Sequence, residues 1–163
     1  MGLDVAPALA RAASAHAEGF IAVGGDAAAL PFRDGCTDLV VSMMAMQNVD
    51  RMAEAVAEVA RVLEPGGRFA YAILHPFKVA SDFGAPYFEP FSYRGEANRD
   101  GLHVELPTGY RPLSAYFASM ERAGLLVESL TEPVPDDEFI EANPSLARCL
   151  QVPCMLIITA LRR

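Results

Sequence analysis

Short apolar runs alternate along the chain with longer stretches whose apolar residues recur three or four positions apart. "GLDVA" (2–6) reads as a strand. Pro7 then opens an alanine-rich amphipathic helix that runs to about position 17, proline being well suited to the first helical turn. "GFIAVGGD" (19–26) is a second strand, again closed by an acidic residue, and "DLVVSM" (38–43) is the β-branched kind of run found inside parallel sheets. Asp50 stands where it would cap a long helix in which Met52, Val56, Val59 and Leu63 share one face. "EPGG" (64–67) stops that helix, and "RFAYAIL" (68–74) is the next strand. After an irregular stretch, Leu113, Tyr116, Phe117 and Met120 line one face of a helix over 113–124, ended by Gly124. "LLVESL" (125–130) and "CMLIITAL" (154–161) are the last strands. Strands and helices in this order predict an α/β fold with a doubly wound, mostly parallel sheet. Ligands of such sheets bind across the carboxyl ends of the strands, where Asp4, Asp26 and Ser42 to Met44 fall.

Composition narrows the classes. The 163 residues suffice for one domain with a proper core, and 52% hydrophobic against 21% charged residues is a globular balance. A formal net charge of −8 excludes nucleic acid as the main partner, since no basic stripe is available to neutralise phosphates. The first residues do not form a charged-then-apolar leader, and no apolar run is long enough to span a bilayer. Cys36, Cys149 and Cys154 lack metal-ligand spacing and read as reduced structural thiols. The expectation is a soluble cytoplasmic protein without a metal site.

An aspartate just past a strand often fixes a turn, and Asp34 and Asp38 around Gly35 read that way. Asp4 differs, because Pro7 already opens the helix and leaves the carboxylate free to accept from a ligand. A carboxylate there can take both hydroxyls of a ribose, and Asp26, one strand further on, can receive an adenine amino group. Two acids ending successive strands suit an adenosine-containing ligand.

The stretch 25–76, with "GDAAALPF", "DLVVSMMAMQNVD" and "RVLEPGG" in that order after "GLDVAPALARAA", resembles the class I S-adenosylmethionine-dependent methyltransferases. It is most similar to the small-molecule branch called methyltransferase type 11, and "YRPLSAYFASMERAGLLVESLTEPVP" (110–135) is similar to the C-terminal segment of bacterial members. The resemblance implies a Rossmann-like fold and S-adenosyl-L-methionine as cofactor. By position it implies that Asp4 holds the ribose hydroxyls, Val5 packs on the adenine, Asp26 faces the adenine amino group and the Ala27 N–H meets a ring nitrogen. Ser42 and Met43 would line the methionine half. "RVLEPGG" is assigned to turn geometry.

The departure from the family is at the front. Its members begin with a strand and a glycine-rich loop that have no counterpart here, so the chain reads as an N-terminally truncated single domain over 1–163. Met1 stands where the family usually has valine, which raises the expectation of a misassigned start. The missing strand is central in the family, so two strand flanks are expected to lack partners unless the sheet closes up or another chain covers the gap. A homodimer is the expected solution. Two other readings stand beside a methyltransferase of small molecules. One is a non-catalytic binding or dimerisation module derived from such an enzyme; the other, an NAD-dependent oxidoreductase, has no glycine fingerprint to support it.

The region from about 76 to 112 is too long for a plain connection and rich in aromatics, among them Phe77, Phe83, Tyr87, Phe88, Phe91 and Tyr93. It reads either as a cap over the methyl donor, suited to an aromatic or lipophilic acceptor, or as a hairpin whose aromatics are its own core. His75, at the end of its strand, is the candidate catalytic base, while His16 and His103 have no visible partner. Gln47, Tyr110 and Arg111 are further candidates for orienting an acceptor.

Overall fold

The computed structural model describes residues 1–16, 18–99 and 102–163, with the side chains at 96–104 and 106 outside the description, His103 among them. Strand β1 (Gly2–Asp4) and strand β2 (Ala22–Gly24) pair in parallel, joined by helix α1 (Pro7–His16). A second sheet has the order β3 (Thr37–Met43), β4 (Leu63–Leu74), β8 (Met155–Arg162), β7 (Leu125–Thr131). β3 and β4 are parallel, and β8 lies antiparallel between β4 and β7. Three strands of that sheet therefore run one way, with only the chain's last strand reversed. Helix α2 (Met52–Val62) connects β3 to β4, and helix α4 (Leu113–Arg122) leads into β7. The α/β architecture with mostly parallel strands is the one the alternation predicts, and it is Rossmann-like as the resemblance implies.

Two periodicities meet in the core. Phe69, Tyr71 and Ile73 of β4 alternate onto one face with Leu156, Ile158 and Ala160 of β8, and the helical repeat of Ala55, Val56 and Val59 in α2 packs on them. Tyr116 and Met120 of α4 complete the layer. α2 ends because Leu63 turns to extended backbone and Pro65 cannot continue a helix. The following turn requires both glycines. Gly66 sits at φ 84°, and a Cβ on Gly67 would lie 2.9 Å from the Glu64 carbonyl oxygen and 3.1 Å from that of Asp38. Asp50 is not the cap of α2: Arg51 occupies the cap position and makes no side-chain cap bond, so the aspartate lies one residue too early.

The "LPF" segment is held by α2. The Leu30 N–H donates to Glu58 Oε2 at 2.8 Å, while Arg61 donates to the Leu30 and Phe32 carbonyls at 3.0 and 2.8 Å and to Asp34 Oδ1 at 2.6 Å. The stretch expected to be irregular after β4 is ordered instead. Helix α3 (Pro76–Phe83) is followed by an antiparallel hairpin of β5 (Phe91–Arg99) and β6 (Leu102–Tyr110). Its aromatics do form a core of their own: ring centroids lie 4.5 Å apart for Phe91 and Tyr110 and 4.7 Å for Phe83 and Tyr93, against buried Val79 and Ala80. Phe88 stays exposed.

Cys149 and Cys154 form a disulfide, which corrects the expectation of three reduced thiols; only Cys36 is free, and it is exposed. The helix α5 (Asp137–Ala142) and the 3-10 turn Pro144–Leu150 fold the chain back so that the two cysteine Cα atoms stand 5.4 Å apart.

The two sheets do not merge. Among the described residues β1 pairs only with β2 and β3 only with β4, so one flank of each is unpaired. The face of β3 turned away from the core is open too: Leu39, Val41 and Met43 are 51%, 61% and 69% exposed.

Candidate functional site

The carboxyl ends of β1 and β2 carry the same small device twice. Asp4 Oδ1 accepts from the Ala6 N–H at 2.8 Å, and Asp26 Oδ1 accepts from the Ala28 N–H at 2.8 Å. Such a turn holds the carboxylate by one oxygen and leaves the other to point outward. Asp4 Oδ2 has no partner among the described residues, whereas Asp26 Oδ2 lies 3.5 Å from Arg51 Nη1 in a solvent-exposed pair. The Gly25 N–H donates to the Asp4 carbonyl oxygen at 3.0 Å, which fixes the two turns side by side. Val5 beside Asp4 is an exposed apolar side chain, and the Ala27 N–H has no acceptor among the described residues.

The second group of predicted residues lies at the end of β3. Ser42 and Met43 pair with Tyr71 and Ala72 of β4, Met43 on the open face. Met44 follows at φ 57°, the one non-glycine residue in the left-handed region among those described, and turns the chain into the 3-10 segment Met46–Asn48. Gln47 is buried there and its Oε1 accepts the Leu74 N–H at 2.9 Å.

His75 follows at the end of β4 and is only 6% exposed. It caps α3: Nδ1 accepts from the Phe77 N–H at 3.1 Å, and Nε2 lies 3.0 Å from Glu132 Oε1. These partners select the neutral tautomer with hydrogen on Nε2. Burial pushes the imidazole pKa down, and Glu132 opposes the shift without cancelling it. To act as a base the ring must first give up its bond to the Phe77 N–H.

Arg111, just after β6, reaches across to the lead-in of α2, where Nη2 donates to the Val49 and Asp50 carbonyls, both at 2.9 Å. Its Nη1 is buried and is the one buried side-chain polar atom without a partner among the described residues. Leaving a buried donor unmet costs about 1–3 kcal/mol, more for a charged group. Tyr116 lies beside this guanidinium, its pKa pushed up to about 12, mainly by burial. The Tyr110 hydroxyl is already committed, donating to the Tyr87 carbonyl at 2.6 Å.

The structure therefore brings Asp4, Val5, Asp26 and Ala27 together on the small sheet. Ser42, Met43 and His75 share the end of the large one. No strand ladder joins the two sets among the described residues. Sequence reasoning missed Arg61 and Glu58, which fix the "LPF" loop, and Glu132, the partner of His75; none carries a local motif that marks it.

A family model described as a methyltransferase domain matches residues 1–71. The malonyl-[acyl-carrier protein] O-methyltransferase of Methylococcus capsulatus is 43% identical over 75 residues, covering 44% of this chain and 27% of that protein. A probable phthiotriol/phenolphthiotriol dimycocerosates methyltransferase 2 of Mycobacterium ulcerans is 30% identical over 132 residues, 75% of this chain and 51% of the relative. The crystal structure of an S-adenosylmethionine-dependent methyltransferase from Mesorhizobium loti superposes with a TM-score of 0.74 at 26% identity, covering 99% of this chain and 79% of that one. Residues 1–71 thus match the methyltransferase-domain family, and the chain as a whole has the fold and the relatives of S-adenosylmethionine-dependent methyltransferases. Its matched parts span about half or less of these two curated relatives.

The family's cofactor is S-adenosylmethionine, and the donor set on the small sheet fits its nucleoside half. Asp4 Oδ2 is an unpartnered acceptor for hydroxyls, Asp26 offers an acceptor for an exocyclic amine, and the Ala27 N–H offers a donor for a ring nitrogen. Exposed Val5 supplies an apolar surface next to them.

Proposed function

We propose that this single domain binds S-adenosylmethionine at the ends of β1 and β2 and transfers its methyl group to a small-molecule acceptor held under α3 and the β5–β6 hairpin. When bound, the cofactor supplies an electrophilic methyl group on a sulfonium. The protein's part is alignment, which contributes on the order of 7–11 kcal/mol where geometry is well held. Asp4 and Asp26 fix the nucleoside, Val5 packs on its base, and Ser42 and Met43 flank the methionine portion. His75 keeps α3 in place through its cap bond and Glu132. In this arrangement it serves as a positioning group, and proton removal from the acceptor would require the cap to open. The observation that carries the reading is the pair of matching aspartate turns with outward-facing oxygens at the ends of adjacent parallel strands.

The unpaired flanks of β1 and β3 favour a second reading, in which the chain is a non-catalytic module that completes its sheet against another copy of itself. A homodimer is proposed under either reading, and the exposed Leu39, Val41 and Met43 support it. The proposed location is the cytoplasm; among the described residues no helix is long and apolar enough to cross a membrane.

Calorimetry with S-adenosylmethionine and S-adenosylhomocysteine separates the two. Binding tighter than about 100 μM, near −5.5 kcal/mol, supports the enzyme. Asp4→Ala should then weaken it about tenfold or more, the loss of one charge-assisted hydrogen bond. Silence at millimolar ligand with a stable dimer in light scattering supports the module, and tight binding untouched by Asp4→Ala refutes the placement.

A further inference from the structure

We infer that the Arg111 guanidinium is the receptor for an anionic oxygen on an sp2 carbon, a carboxylate or phenolate, of the methyl acceptor. This deepens the methyltransferase reading and rests on it for the word acceptor; the anion site itself stands on the geometry.

Four observations converge on Nη1. Arg111 lines a cavity of about 10 Å³ together with Gln47, Tyr93, Gly109, Tyr110 and Tyr116. A space of that size holds one oxygen-sized group. Of the other polar groups in those walls, Gln47 Oε1 is taken by the Leu74 N–H and the Tyr110 hydroxyl by the Tyr87 carbonyl, while the Tyr116 hydroxyl lies beside the guanidinium as a neutral neighbour that leaves its charge in place. The guanidinium has no carboxylate partner among the described residues, since its two bonds go to the neutral Val49 and Asp50 carbonyls. No acid therefore neutralises this part-buried guanidinium where it meets the mostly apolar and aromatic cavity wall, and an anion there is attracted more strongly than in water.

Gly109 is the second half of the device. A Cβ there would lie 3.0 Å from Nη1 and 3.4 Å from the Gln47 carbonyl oxygen, so the residue leaves the guanidinium its space against the backbone. The position is also the right one for a substrate. In the cavity wall Leu74 is the last residue of β4, Pro76 follows it, and Gln47 follows the carboxyl end of β3, the end at which such sheets bind ligands. Arg111 thus anchors the hairpin with one nitrogen and presents the other to the space where the acceptor must lie. A fork-shaped, permanently charged donor suits a planar oxyanion better than a lysine would.

The test uses the whole chain, the arginine Nε–Hε NMR signals, and three probes: benzoate, 4-nitrophenolate at pH 8 and neutral benzyl alcohol. Benzoate or the phenolate is expected to shift the Arg111 signal, identified by its loss in Arg111→Gln, while benzyl alcohol leaves it unmoved. A shift by benzoate alone assigns a carboxyl-bearing acceptor, and one by the phenolate alone a phenol or enol. Affinity for the active anion should fall about 10- to 100-fold in Arg111→Gln. Gly109→Ala, which keeps both carbonyl contacts of Nη2 but crowds Nη1, should show the same fall and covers the case in which Arg111→Gln does not fold. Equal shifts by anion and alcohol, undiminished binding in either folded variant, or no shift from any probe each overturn the inference; the last would mean that a water fills the cavity. S-adenosylhomocysteine binding is measured on the same samples. Its absence alongside an anion shift at Arg111 sinks the methyltransferase reading and leaves the anion site, whereas its presence without a shift sinks only the present inference.

Discussion

The two faces of the β3–β4–β8–β7 sheet both carry apolar residues, yet they are packed to very different degrees. Phe69 and Ile158 are 0% exposed beneath α2 and α4, while Leu39, Val41 and Met43, on the other side of the neighbouring strand, are more than half exposed. A strand that faces water on one side normally alternates polar with apolar residues, and β3 places apolar ones on both. Its sequence is that of a covered strand, and the open face is a surface that a further element or copy would fit. Truncation tests the contrast most strongly. Phe69→Ala should cost about 3–5 kcal/mol, read as a lowered urea midpoint at constant slope. Val41→Ala should stay within about 0.5 kcal/mol in dilute protein, as for an exposed site, and cost more only where the proposed homodimer forms. If Val41→Ala costs several times that, and the cost depends on protein concentration, the face is covered in solution and the contrast between the two faces dissolves.

The weld between β3 and β4 decides whether the packed half stands alone. Gly67 brings β4 close under the Asp38 carbonyl, and an added Cβ there would meet backbone oxygens at 2.9 and 3.1 Å as well as the buried Leu63 side chain at 3.1 Å. Gly67→Ala is therefore expected to destabilise by about 1–3 kcal/mol, the range for an overpacked site. Gly24→Ala, with nothing within 4 Å of the added carbon, serves as the control on the small sheet. Equal losses would mean that the turn after α2 is not where the sheet is held.

The same contrast explains what could be read from the sequence. Strands 38–43, 68–74, 125–130 and 154–161 and the helices beginning at Met52 and Leu113 were legible because each buries a face and so carries a period. α5 buries no residue, and the 3-10 turn after it buries only Cys149, so neither leaves a period to find. In the hairpin, Phe91 and Tyr93 alternate correctly, but the prolines at 86 and 90 and the glycine at 95 disguise the strand. The acids at 4 and 26 were legible because strand ends are local features. The Cys149–Cys154 bond, the Glu132 contact to His75 and the orphaned nitrogen of Arg111 depend on residues far apart or on how loops fold back, and no local pattern encodes them.

A subtler effect, and the one that probes the joint between the packed sheet and α3, is the pH response of His75. Burial lowers its pKa in the folded state from the usual value near 6.5. Between that lowered value and 6.5 the unfolded chain takes up a proton that the folded chain refuses, so this group's stabilisation is complete above 6.5 and is lost as pH falls through the window. Asparagine offers a side-chain oxygen to the Phe77 N–H and keeps the cap, so His75→Asn should change stability by only about 1 kcal/mol at pH 8. It should also remove the part of the decline below pH 6.5 that belongs to the imidazole, read from urea midpoints of the two proteins across pH 5 to 8. A variant that declines as steeply as the parent would show that His75 is solvated or charged in the folded protein.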